Sequence, residues 1–333
     1  MITRDSFQSS IATELVKYIT LKQALGRSFE SASITLLNLD RFLCKLGKPS
    51  PDLTAETFRQ WRQTMESICS NGKLARMRAV RNFCLYRRRT APTCFVPDPT
   101  QFPPICPTVQ PYIFSDMEVA TLLSHCDSLP VSPKSPLRAV ATRLAIVLLY
   151  TTGLRRGELL RLTTADYDHG ERTLLIRESK FHKTRILPLP NDVAMEVVKF
   201  LQTYKAVGPR LQANSFLLWH PACGGRAYTG SQLGKNMRIL LKHAGIRKPG
   251  GGLPRIHDFH FSFAVNALIR WYRNGADVQA KLPYLAAYMG HVSILSTHYY
   301  LRFIAPLAAL ASSAFAARYG ALIQEDGEVC HET

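Results

Sequence analysis

With 333 residues, 46% of them hydrophobic, the chain is long and apolar enough for two domains with cores of their own. A formal charge of +18 and a pI near 9.8 point to a polyanionic partner, and charge alone leaves DNA, RNA and an anionic membrane surface open. The longest aliphatic and aromatic run, Ala145-Ile146-Val147-Leu148-Leu149-Tyr150, is too short to span a bilayer, and Met1–Asp5 lacks the apolar core of a signal peptide. A cytoplasmic protein is expected. The eight cysteines form no C-x-x-C pair, so free thiols in a reducing compartment are expected, with no zinc ribbon, redox motif or disulfide framework.

Residues 1–96 read as helices. Leu36, Leu39, Leu43 and Leu46 recur at helical spacing with Phe42 beside them. Thr54 is placed to cap the next helix, with Leu53 and Phe58 as a hydrophobic staple. From about Lys73 to Arg89 a further helix carries Lys73, Arg76, Arg78, Arg81, Arg87, Arg88 and Arg89 with no acid among them, and Leu74, Met77, Val80 and Cys84 form its apolar stripe. Such a helix suits nucleic-acid phosphates, which it would bind by counterion release and without sequence preference. The alternative is a solvated cationic face. Six prolines between 97 and 111 remove backbone donors and disfavour helix, so this segment is expected to be an extended linker. Residues 1–110 carry 16 Lys and Arg against 8 Asp and Glu; the remainder carries 26 against 16 over twice the length. The N-terminal part is the more densely basic.

Past the linker, Ser115-Asp116-Met117-Glu118 is a capping box with Phe114 and Val119 as its staple. A helix over about Leu137–Tyr150 follows and stops at Thr152-Gly153. Thr173–Ile176 and Thr184–Leu189 read as strands, with Glu178–Lys183 as a hairpin tip. Helices return near 191–206 and 230–244, and Gly250-Gly251-Gly252 marks a mobile loop before Ile256-His257. Pro306 can open a last helix, with Leu307, Leu310, Ala311, Ala314 and Phe315 at helical spacing. Residues 321–333, with Glu325, Asp326, Glu328 and Glu332, are expected to be disordered.

Two strings in this second part carry the chemistry. Thr152-Gly153-Leu154-Arg155-Arg156-Gly157-Glu158-Leu159-Leu160 sets an arginine on a turn entering a helix. Met289-Gly290-His291 is followed, nine residues after the histidine, by Tyr300. Attack of a tyrosine hydroxyl on a phosphodiester needs donors on the non-bridging oxygens, an acid for the leaving 5′ oxygen and a nucleophile held in line. Arginine suits the first task, because its planar fork binds two phosphate oxygens and stays charged. A phenol, with a pKa near 10, needs such cations to stabilise its developing charge.

Together these strings resemble the tyrosine recombinase (phage integrase) family. The resemblance implies a mainly α fold with a small β-hairpin sheet: a helical DNA core-binding domain at 1–96, a linker at 97–111, a catalytic domain at 112–320 and an acidic tail at 321–333. It implies a site-specific recombinase that works through a 3′-phosphotyrosyl intermediate on double-stranded DNA, as a tetramer, alone or with related recombinases, and with no cofactor. Arg155 matches the family's first catalytic arginine, and Glu158 one turn on is its support. Lys180 resembles the hairpin lysine that protonates the leaving oxygen, with Lys183 as the alternative. His257 matches the first position of a His-x-x-Arg pattern whose arginine is replaced by His260, the clearest departure. His257 and His260 could also be half of a metal site, but no further ligand lies at a recognisable spacing. His291 matches a position usually held by His or Trp, and Tyr300 the nucleophile, with Tyr299 beside it. The family's C-terminal segment often packs into a neighbouring protomer. Trp271–Asp277 with Leu282-Pro283-Tyr284-Leu285 resembles recombinases of bacterial transposable elements. The rival readings are an impaired DNA-binding partner in a multi-recombinase assembly and a type IB topoisomerase. If His260 faces the phosphate, cleavage is expected to be slow and to improve as pH falls towards about 6.

Overall fold

The computed structural model describes residues 6–26, 29–47, 49–106, 110–130, 135–177, 184–207, 214–220 and 226–291. The chain divides into Met1–Val109 and Gln110–Thr333. In the first unit α1 (Ala12–Ala24), α2 (Glu30–Leu46), α3 (Ala55–Gln63) and α4 (Ser70–Arg87) surround one core. Leu15 and Tyr18, Leu36, Leu39 and Leu43, Phe58 and Trp61, and Met77, Val80 and Phe83 are buried together in it. Leu46, the last of the expected leucine series, lies in the final turn of α2 and is exposed. The Thr54 hydroxyl accepts the Thr57 N–H and the Thr57 hydroxyl accepts the Thr54 N–H, so a reciprocal box starts α3. α4 begins at Ser70, almost a turn before its first basic residue, and Arg88 and Arg89 lie beyond its end.

The proline-rich segment is not uniformly extended. The Asp98 carboxylate accepts the Thr100 N–H and starts a single 3-10 turn at Pro99–Gln101. Phe95, Val96 and Phe102 pack on the first unit's core, and Arg81 donates to the Pro97 carbonyl at 3.3 Å. Apolar contact and side-chain donors thus hold a backbone that proline deprives of its own hydrogen bonds.

The second unit opens with α5 (Asp116–Ser124), started by the expected Ser115–Glu118 box. α6 (Arg138–Thr152) is buried over most of its circumference, including Ala145, Ile146, Leu148 and Leu149, as befits a helix packed on several sides. The six-residue α7 (Arg156–Arg161) follows. β1 (Tyr167–Asp168), β2 (Thr173–Ile176) and β3 (Arg185–Pro188) form an antiparallel sheet in that order, with Leu174 opposite Leu187 and Ile176 opposite Arg185. Leu174, Ile176 and Leu187 are buried while Ile186 is exposed, the period-2 alternation of a sheet with one covered face. α8 (Asn191–Val207), a two-stranded ribbon of β4 (Trp219–His220) and β5 (Arg226–Ala227), α9 (Gly230–His243), α10 (Ile256–Arg273) and α11 (Val278–Tyr288) complete the described chain. Among the described residues no helix is long and apolar enough to cross a membrane.

Phe114 and Phe259 bring the entry of this unit and the start of α10 together. Both are fully buried, and their rings stack with centroids 4.3 Å apart. The Phe114 N–H donates to the Ser262 hydroxyl at 2.8 Å. Phe259→Ala should therefore destabilise the second unit by about 3–5 kcal/mol, seen as a lower midpoint in urea unfolding followed by tryptophan fluorescence. A loss below about 1 kcal/mol would mean that this stack is not part of a tightly packed core.

Candidate active site

α6 and α7 are joined by the turn Gly153-Leu154-Arg155. Gly153 has φ +62°, and a Cβ there would lie 2.4 Å from the Phe263 ring, so conformation and space both demand glycine. Leu154 is fully buried and anchors the turn. Arg155 takes extended dihedrals as the N-cap of α7. Its N–H donates to Glu158 Oε2 and its Nη1 to Glu158 Oε1, each at 3.0 Å. Nη1 also donates to the Met289 carbonyl at 3.0 Å, and Nη2 lies 3.5 Å from the Gly290 carbonyl. One side chain therefore joins the two motif strings across 134 residues of sequence.

Sequence reasoning missed a second arginine at this point. Arg185, the first residue of β3, donates from Nη1 and Nη2 to Glu158 Oε1 and Oε2 at 3.2 and 3.0 Å, and from Nε to the Tyr288 carbonyl at 2.8 Å. Gly290 has φ +66°, and a Cβ there would lie 2.7 Å from Arg185 Nη1, so glycine lets the guanidinium approach the chain. A signal was available: Arg185 alternates with the buried Leu187, which puts a charged residue on the covered face of the strand after the hairpin tip. The Glu158 side chain is 2% exposed. Burial pushes its pKa up, but the hydrogen bonds and charge of Arg185 and Arg155 outweigh that and hold it below the ordinary value. The carboxylate stays ionised between two guanidinium groups.

Three histidines stand beside this cluster. His257 lies in the first turn of α10, exposed, with its ring stacked on that of His260 at 5.3 Å. His291 follows α11; its N–H donates to the Ala286 carbonyl at 2.8 Å, and its ring stands edge-on to His260 at 5.8 Å. His260, expected to face the phosphate, lies inside the unit. It is 2% exposed, and its Nδ1 is bonded to the Gly153 carbonyl, which assigns the proton to Nδ1. Burial, first of all, pushes its pKa down to about 3. A neutral imidazole donating from Nδ1 has only an acceptor left at Nε2. Burial opposes charging this ring near pH 6. The bond ties α10 to the turn that carries Arg155.

The helix carrying His257 begins with the same device as α7. Arg255 is the N-cap of α10, and its N–H donates at 2.8 Å to the fully buried Asp258 three residues on, which also accepts from the Arg255 guanidinium. Each acid satisfies a backbone donor that a helix start leaves open and fixes the arginine before it. Among the described residues no third His, Cys, Asp or Glu joins His257 and His260 in a group that could hold a metal. Lys180 and its alternative Lys183, and Tyr300 and Tyr299, lie outside the described residues, as do 292–333 and the acidic tail.

The basic residues expected to meet phosphate divide into two sets. Arg78 is exposed on α4, while Lys73, Arg76 and Arg81 are half-buried. Arg87 departs from the expectation: it donates to both oxygens of Asp52, at 2.5 and 3.0 Å, and lies 3.5 Å from Glu14. Its charge is engaged inside the first unit. The second unit has a cationic face of its own on α9, where Lys235, Arg238 and Lys242 are exposed at i, i+3 and i+7, opposite buried Leu233, Met237, Leu240 and Leu241. The sequence signal was there: residues 197–257 hold ten Lys and Arg and no Asp or Glu.

Residues 114–304 match the model of the phage integrase family. The chain is 30% identical over 315 residues to the "Putative integrase/recombinase y4rE" of Sinorhizobium fredii, covering 92% of this chain and 96% of that protein. It is 29% identical to the y4rB integrase/recombinase of the same organism, over 88% and 93% of the two chains. The fold is similar to that of XerH site-specific recombinase bound to a palindromic difH substrate in a post-cleavage complex, with TM-score 0.58, 19% identity and coverage of 87% and 79%.

A histidine whose folded pKa is depressed contributes stability that is present above its unfolded value, about 6.5, and is lost as pH falls towards the folded value. His260 should make unfolding free energy fall by up to about 1.4 kcal/mol per pH unit below about pH 6.5. Urea titrations at successive pH values should show a shallower slope for His260→Gln. An unchanged slope would put the buried neutral imidazole elsewhere.

Proposed function

Because the chain belongs to the phage integrase family of tyrosine recombinases, we propose that it is a site-specific recombinase that cleaves and rejoins duplex DNA through a 3′-phosphotyrosyl intermediate. The observation that carries this reading is Arg155. Its guanidinium is oriented by a buried carboxylate and two carbonyls, yet its side chain is 23% exposed, so donors remain at the surface for a phosphate. In this reading the Tyr300 oxygen attacks the scissile phosphorus, the bond to the 5′ oxygen breaks, and Lys180 supplies the proton to that leaving oxygen. Arg155 and His291 meet the non-bridging oxygens as charge builds on them. His257, at the surface beside them, donates to the phosphate or takes the phenolic proton. The phosphotyrosine conserves the bond energy, so a 5′ hydroxyl from another strand can reverse the step without ATP, metal or cofactor.

Duplex DNA is the proposed partner, gripped through its backbone by Lys73, Arg76, Arg78 and Arg81 on α4 and by Lys235, Arg238 and Lys242 on α9. Strand exchange between two duplexes calls for a tetramer of this chain, alone or with related recombinases. A second reading has support of its own. With His260 neutral, buried and turned to the backbone, the site lacks the charge of the arginine in the family's His-x-x-Arg pattern, which favours a slow or impaired protomer working beside active ones.

Trapping on a nicked suicide duplex separates the two. The wild type should form a covalent protein–DNA adduct that Tyr300→Phe abolishes while DNA binding persists. Loss of the adduct only with Tyr299→Phe would move the nucleophile, and no adduct at all would favour the impaired partner. Arg155→Ala should slow single-turnover cleavage by about 10²–10³; wild-type cleavage by this variant would misplace the site. Joint neutralisation of Lys235, Arg238 and Lys242 should weaken binding to every duplex and reduce the salt slope by up to about 3. An unchanged slope would return α9 to a solvated face.

A further inference from the structure

The geometry points to Arg185 as a positioning residue of the phosphate site: from the base of the hairpin it sets Arg155 and the Met289–His291 turn against one another. This rests on the reading of Arg155 as the phosphate-binding arginine. Arg185 does not itself serve as that donor, since its side chain is 10% exposed against 23% for Arg155. What it holds are three segments distant in sequence.

The acceptor count on Glu158 shows how. Oε1 accepts from Arg155 Nη1 and Arg185 Nη1, and Oε2 from the Arg155 N–H and Arg185 Nη2. A carboxylate has about four lone-pair sites, and these four donors fill them. The carboxylate is therefore gripped on two sides and cannot rotate away from Arg155 without breaking bonds to Arg185. The same two arginines also cap α11. Its last carbonyls have no partner within the helix; Tyr288 is met by Arg185 Nε and Met289 by Arg155 Nη1, with Arg155 Nη2 near Gly290. Positive charge at that end also complements the helix dipole.

Arg185 thus ties the first residue of β3 to the start of α7 and to the end of α11. β3 is the strand that returns from the segment carrying Lys180, so a shift of the hairpin base is transmitted to Arg155 and to the turn before His291. Lysine cannot replace this linkage, because one ammonium lacks the planar fork needed to bind both carboxylate oxygens and a carbonyl at once. Among the described residues, Glu158 is faced by Arg155 from its own turn and by Arg185 from β3.

The test uses the full chain with Arg185→Gln and Arg185→Lys, each checked for wild-type-like cooperative unfolding, and reads hydrogen exchange and single-turnover cleavage. In Arg185→Gln the Gly290 and His291 amides, bonded to the Ala287 and Ala286 carbonyls, should exchange at least about 10-fold faster. Its affinity for duplex DNA should hold within about 3-fold while cleavage slows by about 10–100-fold. A new acid limb should appear in its pH profile, because burial without Arg185 lets Glu158 take a proton as pH falls. Arg185→Lys should remove that limb, by restoring the charge, without restoring the slow exchange. Wild-type exchange at Gly290 and His291 in Arg185→Gln, or wild-type cleavage with no acid limb, would overturn the assignment. If the wild type itself yields no adduct, the proposed function fails and the exchange measurement still decides the role of Arg185.

Discussion

A single buried carboxylate organises the second unit around the turn after α6. Glu158 receives both arginines, and through them the turn after α6, the strand returning from the hairpin and the end of α11 are brought to one place. Each partner alone would be a poor bargain, since a buried ion costs several kcal/mol to desolvate unless paired and hydrogen-bonded. Four donors on one carboxylate offset that cost and leave a net positive charge beside the Met289–His291 turn. Geometry and electrostatics have the same source here: the carboxylate that fixes both arginines neutralises one of their two charges and leaves the other.

Around that cluster the protein uses local devices whose roles are separable. Glycines at 153 and 290 supply left-handed turns and the clearance for Phe263 and Arg185. His260 holds the first of these turns through the Gly153 carbonyl. An imidazole that is neutral and buried can do this structural work, whereas an arginine at the same position would bring a charge that burial penalises unless a phosphate or carboxylate met it. At position 260 burial thus suits a neutral ring bonded to the backbone.

The elements legible in the sequence are those specified by neighbours in sequence. The Ser115–Glu118 box, the strands at 173–176 and 185–188, and the helices at 191–207 and 230–243 follow from caps, alternation and helical spacing, all short-range signals. Arg155, Glu158, His257, His260 and His291 were recognisable as members of motif strings, and the fold gathers them. Arg185 was legible only as a charge on the covered face of a strand, because its partners lie 27 and 103 residues away. The partner of Arg87 is hidden for the same reason: its helix reads as uniformly basic, and only the fold shows that Asp52, 35 residues upstream, pairs with it. The basic face of α9 was legible as an acid-free stretch. Charge partners at long range and burial are what the string of residues does not display.

The ionisation of Glu158 tests this account most directly. Carbon-13 NMR of glutamate-labelled protein, with the Glu158 carboxyl assigned by its loss in Glu158→Gln, follows the group through an acid titration. The account predicts a carboxylate that stays ionised to a pH below the ordinary glutamate value of about 4.3, held there by Arg185 and Arg155. A Glu158 that titrates at or above that value would mean that burial outweighs the two arginines, and that the cluster on which the site is built is not closed.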